Sequence, residues 1–156
     1  KEQIFSLEVE RMPKSANREF TDMFNLPYHS VCTTSTHDMT PLRNWWKEDP
    51  EKTQRYYNHV LQRIGEAPDE CTAEIVAQII SNHLKTRSML TIIPLQDWFA
   101  MDDSIKRKDI ESERINVPAN STHYWRYRMH ITLEQLLQAD NLNNKIVSLI
   151  KEAGRK

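Results

Sequence analysis

Apolar residues recur along this chain with two different periods. Near the start Phe5, Leu7 and Val9 alternate with polar neighbours, which predicts a strand over about residues 4–9. A polar stretch follows, punctuated by Pro13 and Pro27, with room for one short helix around residues 16–24. Residues 30–34 are short, β-branched and uncharged, as in a strand covered on both faces, and residues 89–93, ended by Pro94, read the same way. Between and after them the period lengthens to that of a helix. Thr40-Pro41 and Asp49-Pro50 each pair a capping residue with a first-turn proline. The second of these helices carries Tyr56, Tyr57, Val60, Leu61 and Ile64 and is expected to stop at Gly65. Another spans residues 72–85 with Ile75, Val76, Ile79, Ile80 and Leu84 inward. The tail opens with a capping box at Thr132 and Gln135 and ends in a stripe of Ile146, Val147, Leu149 and Ile150.

Strands alternating with helices give an α/β class with a parallel sheet. Three strands close nothing by themselves, but they suit part of a (β/α)8 barrel, whose usual size of about 250 residues exceeds the 156 here. The expectation is a helix-rich portion of a TIM barrel, about three βα units, with its three strands adjacent and parallel. An open sheet of that kind leaves unpaired edges, through which self-association is expected. The pattern contains no internal repeat, low-complexity tract or linker. The chain does not begin with Met, so it reads as a piece of something longer.

Composition narrows the chemistry. Only Gly65 and Gly154 are glycines, which excludes the phosphate cradles that need several in one run. Twenty-one Lys and Arg balance twenty-two Asp and Glu, a net charge of −1 that argues against nucleic acid or an anionic membrane as partner. No apolar run is long enough to span a bilayer. Cys32 and Cys71 stand alone, as in a reducing, cytoplasmic setting. No cofactor or metal is expected, since His29, His59, His83 and His130 lack ligand spacing.

Two segments carry candidate chemistry. Residues 34–41 follow the second strand, at its carboxyl end, where a barrel places its active site; there His37 and Asp38 could bind a polyhydroxylated ligand or stabilise developing positive charge. The plainer role for Asp38 is to cap the following helix. In residues 114–128, aromatic residues interleave with arginines, Tyr124-Trp125-Arg126-Tyr127-Arg128, which suits stacking on sugars; the plainer role puts Trp125 and Tyr127 in the core and pairs the arginines with acids. Gln96-Asp97 ends the third strand, with Asp97 expected as a helix cap. Of the adjacent Trp45 and Trp46, one is expected to face inward. A non-catalytic glycan-binding module built on the aromatic run is the alternative to an enzyme. A metal phosphohydrolase using His37 and Asp38 is a remoter one, because that pair follows a strand.

The same segments resemble the C-terminal part of an amylomaltase, a 4-α-glucanotransferase or disproportionating enzyme. Thr36-His37-Asp38, Leu42-Arg43-Asn44-Trp45-Trp46, Pro94-Leu95-Gln96-Asp97, and the loop Arg114-x-Asn116-x-Pro118 leading into the aromatic-arginine run match that family's motifs in order from residue 34 to 128. The cysteine-containing strand and the Tyr-Trp-Arg-Tyr-Arg form resemble most the branch shared by bacteroidete enzymes and the plant cytosolic enzyme. Ala119 stands where the family often has Gly, and Met39 where it commonly has a polar residue. The resemblance implies a retaining transglycosylase on α-1,4-glucans, in starch, glycogen or maltose metabolism. Residues 1–156 would be the C-terminal segment of its barrel. It implies that Asp38 is a catalytic transition-state stabiliser, and that His37, Asn116 and Trp125 bind substrate. The nucleophilic Asp and acid/base Glu would lie upstream, so the chain alone would be inactive.

Overall fold

The computed structural model describes residues 4–155. Three strands, β1 (Ser6–Val9), β2 (Ser30–Thr33) and β3 (Leu90–Thr91), form one sheet in the order β1-β2-β3, both pairings parallel. Ser6 to Val9 stand opposite Ser30 to Thr33, and Val31 and Cys32 opposite Leu90 and Thr91. β3 is shorter than its apolar run because Pro94 lacks a donor, although Met89 and Ile92 still donate to the Tyr28 and Cys32 carbonyls.

The sheet's two faces differ. On one, Cys32 is sealed against the carbonyl of His83 and the hydroxyls of Thr86 and Thr91, beneath the helix α3 (Ala73–Leu84). On the other, Leu7, Val31 and Leu90 line up across all three strands, with Leu7 50% and Leu90 44% exposed. Burial of β2 on both faces, expected from its lack of charge, is therefore complete only on the α3 side.

The core lies between α3 on one side and, on the other, α1 (Leu42–Glu48) with Tyr56 and Leu61 from the chain that follows α2 (Pro50–Arg55). Asp49 caps α2 by accepting the Lys52 amide, with Pro50 at the first position, as the sequence predicts. α1 is sunk so deeply that both Trp45 and Trp46 are buried, their rings 5.0 and 6.4 Å from that of Tyr56. One inward tryptophan would require an outer helix; this one is packed around its circumference.

The helix after Asp49 also ends earlier than expected. α2 passes into a π-helical turn over Tyr56–Val60, and the chain reverses at Gln62, whose φ is 55°. Gly65 lies beyond, its carbonyl held by Gln54 and Asn58, and Ile64 points into solvent instead of the core. Residues 16–24 form turns rather than a helix, apart from a 3₁₀ turn at Met23–Asn25 capped by Asp22. That single turn suffices to bring Met23 and Leu26 onto Cys32.

After β3 come α4 (Leu95–Phe99), α5 (Leu133–Leu137) and α6 (Asp140–Glu152). The Thr132–Gln135 capping box forms. α6 packs on α3 through Leu142, Ile146, Leu149 and Ile150, while Val147 turns outward. Arg155 ties the end of α6 back to the carbonyls of Leu84, Thr86 and Ser88.

Candidate functional site

The loop leaving β2 turns tightly, with the Met39 amide donating to the Thr36 carbonyl, and this turn pushes His37 and Asp38 out at the sheet's carboxyl end. His37 Nε2 lies 3.2 Å from Asp38 Oδ2. Asp38 Oδ1 accepts the Nδ2 amide of Asn116 at 2.6 Å. The Trp125 ring sits 4.9 Å from that of His37, tilted by 44°. The four residues singled out from sequence thus form one contiguous group, drawn from two loops.

Neither Asp38 nor Thr40 caps α1. Pro41 occupies the cap position, the Thr40 hydroxyl donates to Glu48, and the Leu42 amide is taken by Asp97 from another element. Asp97 is indeed a helix cap, but of α1 and not of its own helix.

A cleft of about 370 Å³ opens where β2 and β3 end, lined among others by Thr33, Ser35, His37, Gln96, Glu113 and Tyr127. Asp38 borders a neighbouring recess of about 320 Å³ instead, beside Arg11 and Arg114. His37 is thereby the residue that joins the group to the cleft.

The aromatic-arginine run is arranged for display. Trp125 is 58% exposed and Tyr124 more so, which removes Trp125 from the core; Tyr127 is half-buried. The arginines pair with rings or carbonyls rather than acids. Arg126 lies over Tyr124 at 4.9 Å and Arg107 over Tyr127 at 5.3 Å, while Arg128 donates to the Tyr127 carbonyl. Residues 114–117 are held by the His123 ring on the Ile115 carbonyl.

Beneath this surface lie buried charges, among them Glu10 and Glu113, which sequence reasoning does not single out. Arg43 and Glu113 form a buried ion pair at 2.9 Å, which leaves the second Glu113 oxygen unpartnered. Burial raises the Glu113 carboxyl to about 7, against the opposing pull of Arg43. Asp97 is fully buried; burial raises its pKa while hydrogen bonds from Thr34 and Leu42 and the charge of Arg11 oppose the rise. Glu10, also raised by burial, accepts the Tyr56 hydroxyl at 2.5 Å. Arg43 and Asp97 stand in the family-like motifs, whereas the only sequence signal for Glu10 and Glu113 is their nearness to a strand end and to Arg114. Among the described residues, no three His, Cys, Asp or Glu side chains are grouped so as to hold a metal ion.

A family model described as 4-alpha-glucanotransferase matches residues 1–134. The chain belongs to the 4-alpha-glucanotransferase family. It is 38% identical over 152 residues to the rice (Oryza sativa subsp. japonica) 4-alpha-glucanotransferase DPE2, a match covering 97% of this chain and 16% of that protein. It is 31% identical over 123 residues to a 4-alpha-glucanotransferase of Chlamydia trachomatis, covering 77% and 22%. This member of the family therefore spans less than a quarter of the length of either relative. An amylomaltase from Streptococcus agalactiae, solved in complex with acarbose, shares the fold over 98% of this chain and 28% of its own, with a TM-score of 0.71 at 17% identity. The amylomaltase of Corynebacterium glutamicum does so over 94% and 25%, with a TM-score of 0.65 at 14% identity.

Proposed function

We propose that this chain forms one wall of the sugar-binding cleft of a retaining 4-α-glucanotransferase, which moves α-1,4-glucosyl or glucan units between maltose, malto-oligosaccharides and longer glucans in the cytoplasm. Its three strands and their helices are the last three βα units of the catalytic (β/α)8 barrel. The observation that carries the reading is the convergence of Asp38, His37, Asn116 and Trp125 at the carboxyl end of a parallel sheet, the end at which barrel enzymes keep their chemistry.

Each residue has a part that its surroundings support. Asp38 holds a carboxylate at the rim, where it can bond sugar hydroxyls and stabilise positive charge as the ring flattens toward an oxocarbenium ion. Asn116 occupies one carboxylate oxygen and fixes the rotamer. His37 and Trp125 offer a donor and a stacking face side by side. Retaining transfer needs two further carboxyl groups about 5–5.5 Å apart, a nucleophile and an acid/base; these belong to the protein outside residues 1–156.

The test is glucose release and oligosaccharide scrambling from maltotriose, run on the full-length protein and on residues 1–156 alone. Activity in the first and none in the second is expected. Turnover by residues 1–156 alone would place the nucleophile within this chain, and inactivity of the full-length protein on every α-1,4-glucan tried would remove the proposal.

A further inference from the structure

Three strand ends meet at the neck of the loop that carries His37 and Asp38. Just past β1, the buried Arg11 donates from Nε to the Thr34 carbonyl at 3.1 Å and from Nη2 to the Thr40 carbonyl, with its guanidinium 5.3 Å over the Trp45 ring. From α4, the fully buried Asp97 accepts the Thr34 hydroxyl on Oδ2 at 2.5 Å and the Leu42 amide on Oδ1 at 2.9 Å. Both ends of residues 34–42 are therefore held twice, by a cation reading two carbonyls and by a carboxylate reading two donors.

A helix cap alone does not call for this arrangement. Capping is ordinarily local, and Thr40 is a suitable residue whose hydroxyl is spent on Glu48. Burying a carboxylate 55 residues away in sequence costs desolvation that a surface cap avoids. What the buried pair adds is a fixed distance between the two ends of the loop. The loop itself has few internal bonds, and Asp38 at its tip is half-exposed, so its aim is set at the neck.

We propose that Asp97 and Arg11 are positioning residues for Asp38. They form a clamp whose geometry keeps the Asp38 carboxylate on Asn116 and in register with a bound sugar. The proposal deepens the reading of Asp38 given above and rests on it. Asp97 is sealed from solvent, and both residues act through their bonds to the Thr34–Leu42 segment.

The experiment uses the full-length protein and its Asp97→Asn, Thr34→Val and Thr34→Ser variants. Maltotriose disproportionation is measured together with hydrogen–deuterium exchange over residues 34–42. Asp97→Asn presents an amide donor to one of two donors, and Thr34→Val deletes the hydroxyl. Both should lower kcat far more than they change KM, by up to about a hundredfold as expected for a misplaced catalytic group, and both should expose the Leu42 amide to exchange. Thr34→Ser, which keeps the hydroxyl, should restore kcat and protection. A folded Asp97→Asn protein with wild-type kcat and wild-type protection overturns the clamp. So does a loss of thermal stability with kcat and loop protection unchanged, which is a purely structural role. Should Asp97→Asn fail to fold, the contrast between Thr34→Val and Thr34→Ser decides. If the wild-type protein transfers no glucan, the functional reading fails, while exchange over residues 34–42 still reports whether the clamp exists.

Discussion

The side-chain amide of Asn116 donates to Oδ1 of Asp38 across 2.6 Å, joining two loops 78 residues apart in the chain. Asp38 Oδ2 is meanwhile 3.2 Å from His37, so the two oxygens have different partners and the carboxylate plane is set from both sides. A carboxylate oriented before substrate arrives spends no reorganisation during the reaction, which is the condition for strong electrostatic stabilisation of a transition state.

Removing that charge should lower kcat much more than it raises KM. For Asp38→Asn in the full-length protein, a loss of about two to three orders of magnitude in maltotriose disproportionation is expected. Asn116→Ala should cost about tenfold or more, the lower end of the range set by about 1.5–3 kcal/mol for a hydrogen bond to a charged group. A near-wild-type Asp38→Asn protein would leave the pair as a surface contact between loops.

Trp125 is more than half exposed and rests on His37. Trp125→Ala should therefore leave thermal stability within about 0.5 kcal/mol of wild type, as for ordinary surface changes. Glucan use should nonetheless fall about tenfold or more, by analogy with roughly 1–3 kcal/mol per stacked base. Steady-state kinetics with maltotriose, alongside a melting curve, separates the two effects; a large fall in melting temperature with unchanged kinetics contradicts this account.

Glu113 gives a pH dependence with a definite sign. Its carboxyl is raised from 4.5 to about 7 by burial beside Arg43. Between those values the folded chain keeps a proton that the unfolded chain has released, so this group's contribution to stability is present below about 4.5 and is lost as pH rises to about 7. Glu113→Gln should flatten that part of the stability profile, measured by denaturant unfolding at several pH values. A variant whose profile parallels that of wild type rules out Glu113 as the titrating group.

Residues 1–156 alone should self-associate. β1 and β3 are both edges, and Leu7, Leu90 and Ile92 lie open on the face away from α3. Light scattering after size-exclusion chromatography should find oligomers at concentrations where Leu90→Lys is monomeric, since an edge lysine opposes pairing. A monodisperse wild-type monomer contradicts the expectation.

Much of the fold was legible because its signals are local. The three strands, the Asp49-Pro50 start, the inward face of α3 and the capping box at Thr132 each depend on residues within one turn or one pleat. Where local signals misled, a packing partner from elsewhere had taken over. Thr40 has the sequence of a cap, but Asp97 supplies the cap; adjacent Trp45 and Trp46 predict one inward ring, but Tyr56 meets both. Gly65 looked like a helix end, but the π-helical turn moved the reversal to Gln62.

The candidate site divides along the same line. Periodicity and motif order are properties of the chain alone, and they set the parallel α/β class, the residue types at the strand ends and the family-specific spacing from Thr36 to Arg128. Long-range packing is what brings Asp38 to Asn116, leaves Trp125 facing solvent beside His37, and pairs Arg43 with Glu113 70 residues away. Those contacts depend on how loops from separate strands fold over one sheet end. The energy that selects them, burial of charge offset by a partner at one distance and angle, has no signature within any short window of sequence.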